Sequence, residues 1–173
     1  MKHLVISALG ADKPGIVKSI AKQVFDAGGN VAESKMSVLG DEFALIMLVS
    51  GSDASIEKIG ELIPVLEKDL DLVIISKATN NTGKVESRVL YFIEVIAMDN
   101  PGIVHDITEF LSKKSVNVEE LSTSNYPAAH TGTIMFSMEI SISVPSEINI
   151  AQLKAEFLSF CEDLNLDVTF TAH

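Results

Sequence analysis

Residues 11–37 and 98–124 align without a gap, 87 positions apart, and ten of the 27 pairs are identical. The identities include Asp12/Asp99, Pro14/Pro101, Gly15/Gly102, Ile16/Ile103, Asn30/Asn117 and Glu33/Glu120. Upstream residues agree in character, HLVISAL in one copy and LYFIEVI in the other. Such a chain is a duplication, so its fold must be made twice, from units of about 80 residues.

Each copy has the same order of hydrophobic patterns. A buried strand (residues 4–9; 89–97) leads into the Pro-Gly turn and then a helix. Val17, Ile20 and Val24 mark one face of that helix, with Val104, Ile107 and Leu111 in the second copy. GGN or SVN ends the helix, and a more polar strand follows. A hairpin leads to a third strand, residues 43–49 or 133–144. The second helix has apolar residues at 56, 59, 63, 66 and 70, or at 150, 153, 157, 160 and 164. Pro64 lies inside the first of these and should kink or split it. A last strand (72–76; 166–171) closes each copy.

This βαββαβ order predicts an α+β fold of two ferredoxin-like units in tandem. Each unit has an antiparallel four-stranded sheet with two helices on one face. The first and third strands are central, and the polar second strand is an edge. We place the units at residues 1–79 and 88–173, with the polar stretch NNTGKVES (80–87) as linker. In the second copy, residues 134–143 alternate apolar and polar, as a sheet with one wet face requires. FALIMLV (43–49) does not alternate, so both faces of that strand should be covered, the outer one by the other unit or a second subunit.

Composition narrows the function. The net charge is −11, and neither half carries a basic stripe, so direct nucleic-acid binding is not expected. No apolar run approaches the roughly 20 residues of a membrane helix, and the N-terminus does not read as a signal peptide. One cysteine, Cys161, rules out an internal disulfide framework and points to the cytoplasm. The histidines have no metal-ligand spacing, and neither a phosphate loop nor a nucleophile–base pair is evident. A non-catalytic protein without metal or cofactor is expected, and a small ferredoxin-like enzyme is the lesser alternative.

The repeated turn is the feature with chemistry in it. Asp12 and Asp99 can cap the following helices, with Pro14 and Pro101 near the first turn. Gly15 and Gly102 remove the side chain that would shield the helix N-terminus, whose N–H groups and dipole suit a carboxylate. Asn30 and Asn117, 16 residues after each proline, are placed near the same end of the fold. Asp, Asn and a helix N-terminus form the polar set that an amino acid's zwitterion needs. The same residues are also ordinary turn chemistry, and a purely structural pairing module satisfies the pattern too.

A βαββαβ unit with an Asp-x-Pro-Gly turn after its first strand and an Asn opening its second resembles the ACT domain. Two such units in one chain, with LVISALGADKPGIV near the start and LGDEFALIMLVSGS in the first hairpin, resemble the glycine cleavage system transcriptional repressor family. The resemblance implies a regulator without a DNA-binding domain that contacts the DNA-binding activator of the glycine cleavage operon. Glycine, or a relative such as serine, is the implied effector. By position, the implied ligand loops are Asp12, Lys13, Pro14, Gly15 and Ile16 with Asn30 opposite, and Asn100, Pro101, Gly102 and Ile103 following Asp99, with Asn117 opposite. Some amino-acid-binding ACT domains carry a His two residues before the Asp, where this chain has Gly10 and Ala97. Homo-oligomerisation fits the same pattern. SNYPAAHTGT (124–133) reads as a long hairpin loop and a first guess for a partner surface or ligand cover.

Overall fold

The computed structural model describes residues 1–79 and 88–172. The chain divides into two compact units, Met1–Gly83 and Lys84–His173; the expected linker, residues 80–87, lies outside the described residues. The first unit runs β1 (Lys2–Ala11), α1 (Ile16–Asp26), β2 (Asn30–Leu39), β3 (Glu42–Gly51), α2 (Asp53–Leu70) and β4 (Val73–Thr79). The second runs β5 (Arg88–Met98), α3 (Ile103–Lys113), β6 (Asn117–Pro127), β7 (Ile134–Pro145), α4 (Ile150–Asp163) and β8 (Asp167–Ala172). The sheets have strand orders β2-β3-β1-β4 and β6-β7-β5-β8, with every pairing antiparallel. This is the expected architecture, with the first and third strands of each unit central.

Each core is the inner sheet face closed by two helices. Leu4, Ile6 and Ala8 of β1 join Phe43, Leu45, Met47 and Val49 of β3 beneath Ile20, Val24, Ile59 and Ile63. The second core is richer in aromatics. Phe157 meets Phe110 at 5.3 Å and Phe170 at 6.0 Å between ring centroids. Cys161, on the same helix, is buried, and the lost hydration pushes its thiol pKa up to about 12. Because the thiolate is the reactive form, maleimide labelling of the native protein at pH 8 should be negligible, becoming complete once denaturant unfolds the second unit. Rapid labelling of the folded protein would contradict this burial.

Three expectations need correction. The buried helix face is Ile16, Ile20 and Val24, or Ile103, Ile107 and Leu111; Val17 is half-buried and Val104 is 38% exposed. The glycine before each helix fixes the helical phase, which apolar periodicity alone leaves open between adjacent Ile and Val. Pro64 does not split α2, which runs unbroken for 18 residues. Pro64 and Gly60, whose carbonyl its missing N–H would bond, are both exposed, so water can satisfy the orphaned acceptor. The long loop is shorter than expected, because residues 124–127 continue β6 against β7. Within its own unit burial along β3 alternates, and Ile46 on the outer face is 50% exposed.

Both second strands carry a register irregularity one residue after their start, between Val31 and Glu33 and between Val118 and Glu120. Each therefore has a bulge at the same repeat position.

Candidate functional site

The four helices begin in two different ways. Ser52 caps α2 by accepting from Ser55 N–H at 3.1 Å, and Asn149 caps α4 by accepting from Gln152 N–H at 3.1 Å. Helices α1 and α3, which follow the repeated turn, have no side-chain cap. Their N-caps are Gly15 (φ 96°) and Gly102 (φ 103°), in the left-handed region that glycine enters without strain. Asp12 and Asp99 therefore do not cap these helices, and Pro14 and Pro101 lie outside the first helical turn. The Asp backbones are used elsewhere: Asp12 N–H donates to Asp41 O at 3.0 Å, and Asp99 N–H to Ile134 O at 3.2 Å. These bonds hold the turn against the neighbouring strand, so the chain must swing through the glycine to start its helix. The first-turn N–H groups then have no acceptor within the helix.

The other expected site residues divide. Ile16 and Ile103 are buried in their cores at 4% and 7% exposure, so only their backbones belong to the turn. Asn30 and Asn117 open β2 and β6 as expected, but at the far end of the sheet. Asn30 pairs with Ser50, which pairs with His3, whereas the turn follows Ala11. Asn117 pairs with Ser143, which pairs with Leu90, whereas the second turn follows Met98. Eight residue steps along the strand separate the two levels in each unit, roughly 26 Å. The reason is topological, since α1 runs back along the sheet and delivers the chain to the start of β1. Asn117 is bound locally, donating from Nδ2 to Glu119 Oε1 at 2.7 Å. Within one unit, then, the Asn and the turn do not form a common pocket.

Residues that sequence reasoning missed do gather at the second turn. Asn125 of β6 donates from Nδ2 to Asp99 Oδ2 at 3.0 Å and orients that carboxylate. Its counterpart by the 87-residue repeat is Val38, which cannot do so. A cavity of about 480 Å³ beside the turn is lined by Ala97, Asn100, Asp106, Met135, Asn165 and Asp167 among others. A second, of about 540 Å³, lies against Asp99, Gly102, His105 and Phe136. Both volumes fall in the range of roughly 300–1,000 Å³ common for small-molecule sites.

The first turn differs at the matching places. Sheet register equates Asn165 with Asp71, and both adopt φ 56°. Lys13, the counterpart of Asn100, ion-pairs with Asp71 at 3.5 Å. Gly10, the counterpart of Ala97, lies so close to this corner that a Cβ would sit 2.8 Å from Leu72 Cδ2 and 2.9 Å from Asp71 O. The corner thus closes onto β1 more tightly than alanine permits. Ala97 requires the Asn165–Leu166 corner to stand further off, and the cavity lies there.

Among the described residues, no group of three or more His, Cys, Asp or Glu is placed to hold a metal, and no helix is long and apolar enough to cross a membrane.

Comparison with known proteins agrees with this fold. The ACT domain family matches residues 2–76. The glycine cleavage system transcriptional repressor of Escherichia coli K12 is 32% identical over 163 residues, covering 94% of this chain and 86% of that one. A crystal structure of a candidate glycine cleavage system transcriptional repressor is 29% identical with a TM-score of 0.76, covering 99% and 97% of the two chains. A protein of unknown function from Galdieria sulphuraria shares the fold with a TM-score of 0.79 at 24% identity, over 99% and 98% of the chains. With its duplicated βαββαβ unit and repeated Asp-x-Pro-Gly turn, the chain belongs to the glycine cleavage system transcriptional repressor family, a family of regulatory ACT-domain proteins.

Proposed function

We propose that this protein is an amino-acid-responsive regulator that acts by contacting a DNA-binding transcription factor. One observation carries the reading: the helices after the repeated turn have glycine N-caps and no side-chain cap, and cavities flank the second of these turns. A small amino acid such as glycine or serine fits that chemistry. Its carboxylate takes the first-turn N–H groups of α3, and its ammonium takes Asp99, whose carboxylate Asn125 holds in place. The net charge of −11 favours a protein partner over nucleic acid. The relatives are named as transcriptional repressors of the glycine cleavage system, and a DNA-binding transcription factor that serves that system is the partner in this reading. Ligand binding would favour one state of the regulator over another by its difference in affinity.

The difference between copies makes the second turn the working site. Asn100→Lys, which installs the residue of the first copy, should weaken amino-acid binding about tenfold or more, while Lys13→Asn leaves it near wild type. Thermal melts and calorimetric titration with glycine, serine and alanine measure both. Absence of any shift at millimolar amino acid, or unchanged binding by Asn100→Lys, would overturn the site. The first outcome favours a pairing module, in which the Asp12 and Asp99 backbone bonds give the turn a structural role alone.

A further inference from the structure

We infer that the outer face of the first sheet is the contact surface for a second copy of this chain, packed sheet to sheet about a two-fold axis parallel to the strands. Register puts Val5 and Leu9 of β1, Ile46 and Leu48 of β3, and Val73 and Ile75 of β4 on the face away from the helices. Leu9 is 53% exposed, Ile46 50%, Val73 63% and Ile75 67%. A contiguous apolar patch of this kind is unusual on a surface that meets only water.

The duplication supplies an internal control. In the second sheet the outer positions of β7 and β8 are Ser137, Glu139, Ser141, Asp167, Thr169 and Thr171. Only β5 between them turns apolar residues outward there, Phe92 and Ile96 on either side of Glu94, whereas the first sheet is apolar across β1, β3 and β4. The groove on the first face, about 340 Å³, is bordered by Val5, Glu33, Lys35, Ile46 and Thr79.

Charge order argues for a second copy. One row across the sheet reads Lys77, Val5, Leu48, Glu33. A two-fold axis along the strands lays β4 of one copy over the β2 edge of the other. Lys77 then faces the partner's Glu33, and Glu33 faces the partner's Lys77, with apolar residues between. An axis across the strands would instead lay each strand over its own equivalent, and neither pairing would form. That row is therefore self-complementary, as an isologous contact requires, and in the next row, Ile75, Ser7, Ile46, Lys35, the lysine stem lies over the partner's Ile75. Its size also suffices. A four-stranded face with strands of about ten residues spans roughly 20 Å by 30 Å. Two such faces together bury on the order of 1,200 Å², the lower bound of specific interfaces.

Sedimentation velocity from low micromolar to near-millimolar concentration tests this. The full-length protein should be a dimer, and Ile46→Glu and Ile75→Glu should make it monomeric with unchanged circular dichroism. Lys77→Glu, a surface change that leaves the core untouched, should weaken the dimer about tenfold. Adding Glu33→Lys to it should restore most of that loss, as coupled charges do. A monomeric wild type would overturn the proposal, whether the face then covers another segment of its own chain, a different protein or a small apolar ligand. So would a dimer indifferent to Ile46→Glu, or a charge swap that does not rescue.

Discussion

Phe157→Ala is expected to destabilise the second unit by about 3–5 kcal/mol. Phe157 is fully buried on α4 and contacts Phe110 from the neighbouring helix and Phe170 from the sheet beneath. It therefore joins all three elements that close this core. Truncation removes the largest transferred area in the unit and leaves a cavity that Phe110, already stacked on Phe160 at 4.9 Å, cannot fill by a small shift. For a unit of this size, a loss of 3–5 kcal/mol lowers Tm by roughly 12 °C or more. The counterpart in the first unit, Ile63, lies in an aliphatic core, so the first unit's transition should stay in place. Differential scanning calorimetry of the full chain tests both statements. A fall of less than about 3 °C would mean that the aromatic cluster is not the keystone of that core.

Gly10→Ala is expected to cost the first unit about 1–3 kcal/mol, although it adds a single methyl group. One of the atoms it meets is the far end of a leucine side chain, which can rotate away. The other is the carbonyl oxygen of Asp71, which moves only if the corner between α2 and β4 moves. That corner is fixed by the αL conformation of Asp71 and by the bond from Ile74 N–H to Glu67 Oε1 at 2.8 Å. The reverse change, Ala97→Gly, should cost only about 0.5–1 kcal/mol. It should also let the Asn165–Leu166 corner settle toward β5 and weaken the amino-acid response. Calorimetry and ligand titration on the two variants check this pair. Wild-type stability in Gly10→Ala would show that the corner yields freely, and the explanation of the cavity in the second unit would then fail.

The duplication, the strand order and the central position of the apolar strands were legible in the sequence because each follows from hydrophobic period and repetition. The helix faces were only partly legible. Ile16–Val17 and Ile103–Val104 are adjacent apolar residues, and only the left-handed glycine before them decides which turns inward. The site was legible as a turn but not as a pocket. Asn30 and Asn117 follow the turn closely in the chain, yet the crossover helix carries them to the other end of the sheet. Asn125, Asn165 and Asp167 carried no motif, and only folding brings them to Asp99 and Asn100. The asymmetry between copies was nevertheless present in single letters, Gly10 against Ala97 and Lys13 against Asn100. Their meaning depended on a corner about 60 residues away in each unit.

The bulges near the starts of β2 and β6 have a consequence for assembly and for history. An edge strand in regular ladder geometry offers a template to any extended segment that meets it. Here the irregularity interrupts the β2 and β6 edges, so an incoming strand finds a regular run there only beyond Glu33 or Glu120. A foreign segment that begins to pair on one side of the break loses register on the other. This guard stands at the same place in both copies, although 17 of the 27 aligned residues around it differ. The defect in the ladder is older than the doubling of the chain, and each half inherited its own protection against sticking to the other.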